Sequence, residues 1–297
     1  MARNCRKPRR LVVGLAVCVI SLGAASAQLV SSKQQNILDS NGSTAARREA
    51  PRTEPLQEAF RSVPQRLHPF YDNASARNTI IIGFVGGFVK RNDLKHPEVQ
   101  FAALLRKSYP TSVHVEVFAN HDGNEALRRV LQLLDSNGDG IVTGNEKEQA
   151  NIIIYGHSWG ALQTVTLARA LGRQGVPVLL TIQVDSVRKP GQEDSIIPPN
   201  VTNAINFYQT SGLIHGRSSI RAADPERTLI VGNFQMSYRN RRVNCDNYPW
   251  LARHFDKPHH EIKNDPNVWN HIASVIDSEL LKTTPIAGSS LPSASRR

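Results

Sequence analysis

A serine flanked by glycines is the first group in this chain that could do chemistry. The run Gly156-His157-Ser158-Trp159-Gly160 has the form G-x-S-x-G, with an apolar β-branched run before it and a helical pattern after it. A tight strand-to-helix turn holds such a serine in a strained conformation, and the glycines remove side chains that would collide. The hydroxyl is then exposed beside a helix N-terminus, which favours developing negative charge. This context predicts a nucleophilic serine; a plain Gly-Ser turn is the alternative.

A second run has the spacing of a calcium-binding loop. Residues 135–146, DSNGDGIVTGNE, match the EF-hand formula D-x-[DN]-x-[DN]-G-x₅-E without a gap. The predicted oxygen ligands are the side chains of Asp135, Asn137 and Asp139, the carbonyl of Ile141, Thr143 directly or through water, and Glu146. Few residues separate this loop from the next apolar strand, so a full second helix does not fit. Bound calcium would therefore be a structural clamp rather than a sensor, and a solvated turn is the alternative.

The elements around these two motifs alternate along the chain. Apolar runs predict strands at residues 79–85, 113–118, 151–155, 178–184, 204–208 and 228–231. Helical spacing predicts helices at residues 97–107, 124–134, 161–173 and 268–281. Several strands are apolar without alternation, which is typical of strands buried on both faces of a parallel sheet. The fold class is therefore α/β, a doubly wound and mostly parallel sheet with the calcium-type loop inserted before the serine strand.

The segment YGHSWGA at residues 155–161, which follows a buried strand, resembles the nucleophile turn of the α/β-hydrolase superfamily, in particular its secreted lipase- and esterase-like members. The resemblance covers roughly residues 79–281, and the serine turn is its most specific part. The superfamily's order of catalytic residues is Ser, then Asp or Glu, then His. The resemblance thus implies a carboxylate and a histidine further along the chain.

Asp185 ends the strand that follows the serine turn, so it is the expected acid that orients the base. Many members place the acid one strand later, where this chain offers only Thr210 and Ser211. The base is expected on a loop before the final helix. There the form H-x-x-I followed by an acidic residue favours His259, with His260 as the alternative.

Two N–H donors are expected to stabilise the oxyanion of a tetrahedral intermediate. One is the backbone N–H of Trp159, directly after the serine. The resemblance implies that the other comes from the loop after the first strand, from Phe88 or from Gly87. This loop lacks the His-Gly pattern frequent in the superfamily, so the choice between the two residues stays open.

Composition excludes several classes of protein. The chain has 297 residues and only 3 Cys, which excludes collagen, coiled coils and disulfide scaffolds. The net charge of +11 falls to +6 without the five basic residues among the first 27, and this excess is too small to indicate a nucleic-acid partner. If that segment is removed, Cys245 is the one remaining cysteine, so no internal disulfide is expected.

Residues 1–27 have the pattern of a secretory signal. A basic segment precedes an apolar run at residues 11–23, and Ala25-Ser26-Ala27 provides the small-x-small cleavage site. The apolar run is too short for a bilayer span, so no integral membrane segment is expected after cleavage. A flexible leader (28–77), a hydrolase domain (78–282) and a disordered tail (283–297) are expected to follow. The predicted location is secreted or periplasmic.

These features favour a serine hydrolase that cleaves a small-molecule or lipid ester through Ser158, His259 and Asp185. Calcium is the expected structural cofactor, and no organic cofactor is expected. The alternative is a non-catalytic, calcium-stabilised binding protein on the same scaffold. No H-E-x-x-H spacing supports a metallohydrolase.

Overall fold

The computed structural model describes residues 78–246, 248, 250 and 256–283. The predicted signal segment (1–27) and leader (28–77) lie outside the described residues. So does the predicted tail (283–297), except for Thr283, which ends the last helix.

Six parallel strands form the main sheet, in the order β2-β1-β3-β4-β6-β8. They are β1 (Asn78–Phe84), β2 (Val113–Phe118), β3 (Ala150–His157), β4 (Val178–Val184), β6 (Val201–Tyr208) and β8 (Leu229–Gln235). The short strands β5 (Ile196–Ile197) and β7 (Arg221–Ala222) pair separately. The prediction of a parallel α/β sheet is confirmed. The last strand runs further than predicted because Gly232 and Asn233 interrupt its apolar run, and the strand continues past them to Phe234 and Gln235.

Helices cover both faces of the sheet. They are α1 (Pro97–Ser108), α2 (Gly123–Leu134), α3 (Gly144–Glu148), α4 (Trp159–Arg173), α5 (Lys257–Asn264) and α6 (Pro266–Thr283). Buried side chains of α1, α5 and α6 form one apolar cluster, and those of α2 and α4 form another. In β3, Ile153 belongs to the first cluster and Ile152 and Ile154 to the second. The strands lack polar alternation because both of their faces are buried.

The segment around His259 is a helix rather than the predicted loop. Helix α5 has Pro258 in its first turn. N–H groups in the first turn have no intrahelical acceptor, so proline loses no hydrogen bond there, and its fixed φ suits the helix. His259 and Lys263 lie one helical turn apart on α5, and therefore on the same face of it.

The sheet order places a crevice at the carboxyl ends of β1 and β3. The chain runs from β1 outward to β2 and then returns to β3 on the other side of β1. In open parallel sheets, ligands bind where the winding direction reverses in this way. The loop after β1 and the serine turn after β3 both lie at this position. Among the described helices, none combines the length and apolar character needed to cross a membrane.

Candidate active site

Three non-glycine residues of the described chain have a positive φ, and each is a predicted site residue. The angle is 60° at Phe88, 57° at Ser158 and 45° at Asp185. A residue with a side chain held in this region costs about 1–3 kcal/mol and persists only where the surrounding structure fixes it. Strain is thus concentrated at the carboxyl ends of β1, β3 and β4.

Ser158 joins β3 directly to α4, with φ 57° and ψ −122°. A Cβ atom on Gly156 would lie 2.4 Å from the carbonyl oxygen of Gly160. A Cβ atom on Gly160 would lie 2.3 Å from the carbonyl oxygen of Phe84. Both positions therefore require glycine, and the steric explanation for the two glycines of the turn is confirmed.

Asp185 is fully buried at the end of β4. Its Oδ1 accepts hydrogen bonds from the backbone N–H groups of Gly216 (2.7 Å) and Gln209 (3.2 Å). Its Oδ2 accepts one from the Gln209 side-chain amide (2.9 Å) and lies 2.6 Å from Nδ1 of His259. A buried carboxylate needs such partners, because removing the charge from water is otherwise very costly.

The contact with Asp185 determines the tautomer of His259. A carboxylate only accepts hydrogen bonds, so Nδ1 carries the proton and Nε2 keeps its lone pair. The imidazole is buried and packs against the His157 ring, with 4.5 Å between the ring centroids. Nε2 is therefore the nitrogen that can accept a proton from a hydroxyl group.

A cavity of about 730 Å³ brings six of the predicted residues together. Its wall includes Gly87, Phe88, Ser158, Trp159, His259 and His260. Asp185 lies behind His259, at the carboxylate contact already described. The remaining wall combines apolar, basic and acidic side chains, and includes Val89, Val187, Ile214, Tyr248, Lys95, His96, His157, Lys263, Asp93 and Asp256.

The loop after β1 packs against the serine turn. A Cβ atom on Gly87 would lie 2.8 Å from the Trp159 ring, and the Phe88 ring is 5.6 Å from the Trp159 ring between centroids. Asn120 donates its side-chain amide to the carbonyl of Gly86 (2.9 Å), which fixes the start of the loop. The N–H of Trp159 belongs to the first turn of α4, where intrahelical acceptors are missing. Phe88 is 98% exposed. Its side chain has no hydrogen-bond donor, so only its backbone N–H could serve the site.

The structure places His260 differently from His259. The His260 ring packs against Tyr248 with 4.2 Å between centroids, and its Nδ1 has no hydrogen-bond partner among the described residues. Of the two candidate bases, His259 is the one bound to Asp185.

The alternative acid position after β6 provides donors instead. Gln209, which follows β6, donates to Asp185 from its backbone and its side chain, and its Oε1 accepts the N–H of Ser211 (2.7 Å). Gln209 and Gly216 were not predicted from the sequence, because neither a glutamine side chain nor a backbone N–H belongs to a recognisable catalytic motif. Two further buried residues were missed: Glu98, which lies beside His157, and Lys263, which lies beside His96.

The buried histidine next to the serine should make the fold sensitive to acid. Burial, together with the nearby His259, lowers the pKa of His157 from 6.5 to about 4. The unfolded chain therefore binds a proton at this residue near pH 6.5, while the native protein does not until about pH 4. We expect His157 to contribute up to about 1.4 kcal/mol per pH unit to the loss of unfolding free energy as pH falls through this window.

Urea unfolding of the wild type and of His157→Phe at pH 7, 6, 5 and 4 measures this contribution. The variant should show a shallower pH dependence over the window, whatever its absolute stability. Parallel curves for the two proteins would contradict the expectation. Acidic groups with lowered pKa values, such as Glu98, act below pH 4.5 and so fall outside most of the window.

The predicted calcium loop (residues 135–146) begins directly after α2, and its last three residues form the start of α3. Gly138 and Gly140 have φ values of 70° and 82°, and Asp135 accepts the N–H groups of Asp139 (3.1 Å) and Gly140 (2.8 Å). Helix α3 is only five residues long, so no full second helix follows the loop. Asn137, Ile141 and Thr143 lie in the same exposed loop. No group of three or more His, Cys, Asp or Glu side chains within the described ranges is arranged to hold a metal ion.

Glu146 closes this loop through its carboxylate. Oε1 accepts from the backbone and hydroxyl of Ser136 (2.9 and 2.7 Å), and Oε2 accepts from the backbone and hydroxyl of Thr143 (both 2.9 Å). These bonds lower the pKa of Glu146 to about 2, and the bond from the Thr143 backbone N–H has the largest effect. The carboxylate is thus held in its charged form at the end of the loop.

No protein-family model matches the chain, and no curated protein gives a significant match. The structure is similar to a cutinase-like protein from Cryptococcus sp., with 11% identity, a TM-score of 0.36, and coverage of 70% of this chain and 97% of the other. It is also similar to a protein from Xanthomonas campestris pv. campestris, described as belonging to the hydrolases of the alpha/beta superfamily. That match has 12% identity, a TM-score of 0.32, and coverage of 67% of this chain and 99% of the other. The mostly parallel six-stranded sheet with flanking helices fits an α/β-hydrolase fold.

Proposed function

We propose that this protein is a serine hydrolase that cleaves carboxylic esters. Ser158 Oγ attacks the ester carbonyl while Nε2 of His259 accepts its proton. The histidine then returns the proton to the departing alcohol, which leaves an acyl group on the serine. Water, activated by the same histidine, releases the acid and restores the serine. Asp185 holds the imidazole in the required tautomer and stabilises its charged form.

One observation carries this proposal. A serine in a strained turn shares a cavity with an imidazole whose other ring nitrogen is bound to a fully buried carboxylate. Each part has a simpler explanation alone, since turns contain serines and buried histidines need partners. Nucleophilic catalysis explains their combination more simply. The strained turn of Ser158, the buried carboxylate of Asp185 and the tautomer of His259 all favour transfer of the serine proton to the imidazole.

The proposed oxyanion donors are the backbone N–H of Trp159 and one from Gly87 or Phe88. The first lies at the N-terminus of the 15-residue helix α4, whose dipole favours negative charge there. A Cβ atom on Gly160 would lie 2.3 Å from the carbonyl oxygen of Phe84 and 2.7 Å from that of Val85. This supports a close approach between the backbone at the start of α4 and the backbone that leads into the loop after β1.

Labelling with a fluorophosphonate tests the proposal without knowledge of the substrate. An activated serine displaces fluoride and forms a stable phosphonyl ester, so we expect fast labelling at Ser158. Hydrolysis of p-nitrophenyl esters with graded acyl chains then measures the preferred ester. A correctly folded wild type that resists the reagent and cleaves none of the esters would favour the non-catalytic binding protein instead.

We also propose that the loop at residues 135–146 binds calcium as a structural clamp. The predicted ligands are Asp135, Asn137, Asp139, the carbonyl of Ile141, Thr143 and Glu146. The left-handed glycines and the charged carboxylate of Glu146 support this assignment. Glu146 would exchange its bonds to Ser136 and Thr143 for bidentate coordination of the ion.

Calcium is expected to raise the melting temperature of the wild type by several degrees at millimolar concentration. The melting temperature rises because an ion that binds only the folded state shifts the unfolding equilibrium toward that state. Glu146→Gln should lose most of this gain, because it removes one charge and the bidentate ligand. Differential scanning fluorimetry with calcium, magnesium and EDTA makes the measurement, and Glu148→Gln on the same short helix is the matched control. Equal melting curves with calcium and with EDTA would contradict the proposal.

We further propose that the chain is exported to the periplasm or the cell exterior. The basic and apolar segments of residues 1–27 and the site at Ala25-Ser26-Ala27 support this location. Sequencing the N-terminus of the exported protein should give Gln28 as its first residue.

A further inference from the structure

A carboxylate lies fully buried beside the candidate active site. Glu98 is in the first turn of α1 and is 0% exposed. Neither of its carboxylate oxygens has a hydrogen-bond partner among the described residues. Oε2 lies 3.6 Å from Nζ of Lys263, and Oε1 lies 3.4 Å from Nδ1 of His157. Burial alone would raise the pKa of Glu98, but the charge of Lys263 and the contact with His157 hold it below its ordinary value.

Lys263 connects this carboxylate to the helix that carries the candidate base. It lies one turn after His259 on α5 and is only 3% exposed. Its Nζ is 2.6 Å from Nδ1 of His96, and its backbone carbonyl accepts the indole N–H of Trp269 (2.7 Å). The pair formed by Glu98 and Lys263 therefore ties α5 to α1 within the protein interior.

His157 fills the space between Glu98 and His259. Its ring packs on that of His259 and approaches the loop after β1, since a Cβ atom on Gly86 would lie 3.3 Å from His157 Nδ1. Its lowered pKa keeps this ring neutral near pH 7. A neutral ring can pack against an imidazole that becomes positively charged during the reaction without repelling it.

A buried ion pair is a poor device for stability, because desolvation of the two charges offsets most of their attraction. An apolar pair of similar volume would serve as well or better. The location of the Glu98–Lys263 pair suggests a different role. Asp185 restrains the Nδ1 edge of His259, but it does not by itself restrain the backbone of α5 or the tilt of the ring.

We propose that Glu98, His157 and Lys263 are positioning residues for the base His259. The ion pair fixes the helix of the base, and His157 fixes the plane of its ring. This inference rests on the proposed function. The effect is geometric and electrostatic, since none of the three residues is assigned a proton transfer.

Three variants test the ion pair: Glu98→Gln, Lys263→Met and the double variant that carries both. Each single variant leaves one buried charge without its partner, whereas the double variant removes both charges at similar volume. The single variants should be less stable than the double variant. All three should lower kcat about 10- to 100-fold with KM nearly unchanged, because a base displaced by a fraction of an ångström transfers protons poorly.

The pH profile of kcat/KM separates positioning from a general loss of structure. The titratable groups around His259 are those of Asp185, His157, His260, Lys263 and Glu98, with Asp93, Lys95, His96, Asp256 and Tyr248 also on the cavity wall. A positive charge left alone near the imidazole disfavours its protonation, so Glu98→Gln should move the acid limb to lower pH by roughly 0.5 to 1 unit. Lys263→Met should move it to higher pH by a similar amount, and the double variant should restore it.

His157→Phe tests the ring that packs on the base. It keeps an aromatic ring but loses the contact with Glu98, and it should also lower kcat with little effect on KM. Lys107→Met, which removes an exposed cation on the helix that carries Glu98, is the control and should keep wild-type kcat.

Fluorophosphonate labelling of Ser158, measured over the same pH range, makes the test independent of the ester chosen. A wild type that does not react contradicts the proposed function and the positioning role that rests on it. A wild type that reacts, together with a folded double variant that keeps wild-type kcat and labelling rate, contradicts the positioning role alone. Acid limbs that move in the same direction in both single variants would also overturn it.

Discussion

Ser158→Ala is expected to lower kcat for any ester substrate by about 10⁴- to 10⁶-fold and to abolish fluorophosphonate labelling. The hydroxyl is the proposed nucleophile, and no neighbouring group can replace it in forming an acyl-enzyme. Alanine keeps the Cβ atom and the backbone strain, so the free energy of unfolding should change by less than about 1 kcal/mol. Steady-state kinetics and urea unfolding of the same preparation measure both quantities.

Ser158→Gly provides a sharper comparison at the same position. Glycine adopts φ 57° without steric cost, so this variant should be as inactive as Ser158→Ala but more stable, by about 1 kcal/mol or more. Loss of activity together with a gain in stability would indicate that the strained backbone at residue 158 lowers stability and is needed for activity. Ser219→Ala, at an exposed serine, is the control for the loss of a hydroxyl and should behave as wild type. Retained labelling in Ser158→Ala would place the nucleophile elsewhere.

His259→Gln and His260→Gln are expected to differ greatly although the residues are adjacent. The first removes the imidazole bound to Asp185 and should lower kcat by about 10⁴-fold or more. The second removes a ring that packs on Tyr248 and should lower kcat less than about tenfold. Glutamine keeps a polar side chain of similar length at both positions, so each variant controls for the other.

Kinetics on a single ester and thermal unfolding of both proteins make this comparison. A larger loss in His260→Gln would show that His260 is the base and that the contact between His259 and Asp185 is structural. Equal losses accompanied by equal destabilisation would indicate that the two substitutions act through the fold of α5 rather than through proton transfer.

The sheet and the serine turn were accessible to sequence analysis because their signals are local. The parallel strands appear as uninterrupted apolar runs, since both faces of the sheet are covered by helices. The turn appears as two glycines around Ser158, since a Cβ atom at either glycine would collide with a neighbouring carbonyl oxygen. Backbone sterics and burial act over a few residues, so the sequence shows them directly.

The prediction of a loop around His259 was wrong, because the local composition of this segment is typical of a loop. Pro258, two histidines and a lysine form a segment with little apolar character, which indicates a loop when it is considered alone. Burial of Ile262 in the core and the contacts of His259 with Asp185 and of Lys263 with Glu98 make it a helix instead. Tertiary contacts here outweigh a weak local preference.

Patterns along the chain are enough to indicate the α/β class, the strained serine and the set of candidate acids, bases and calcium ligands. The contact of Asp185 with His259 rather than His260, and the burial of Glu98 between His157 and Lys263, arise from the folded arrangement alone. These contacts join residues far apart in the chain, and they depend on the order of strands in the sheet and on which helix packs over which strand. No spacing along a sequence records that order, because it is fixed by the packing of whole elements against a common core.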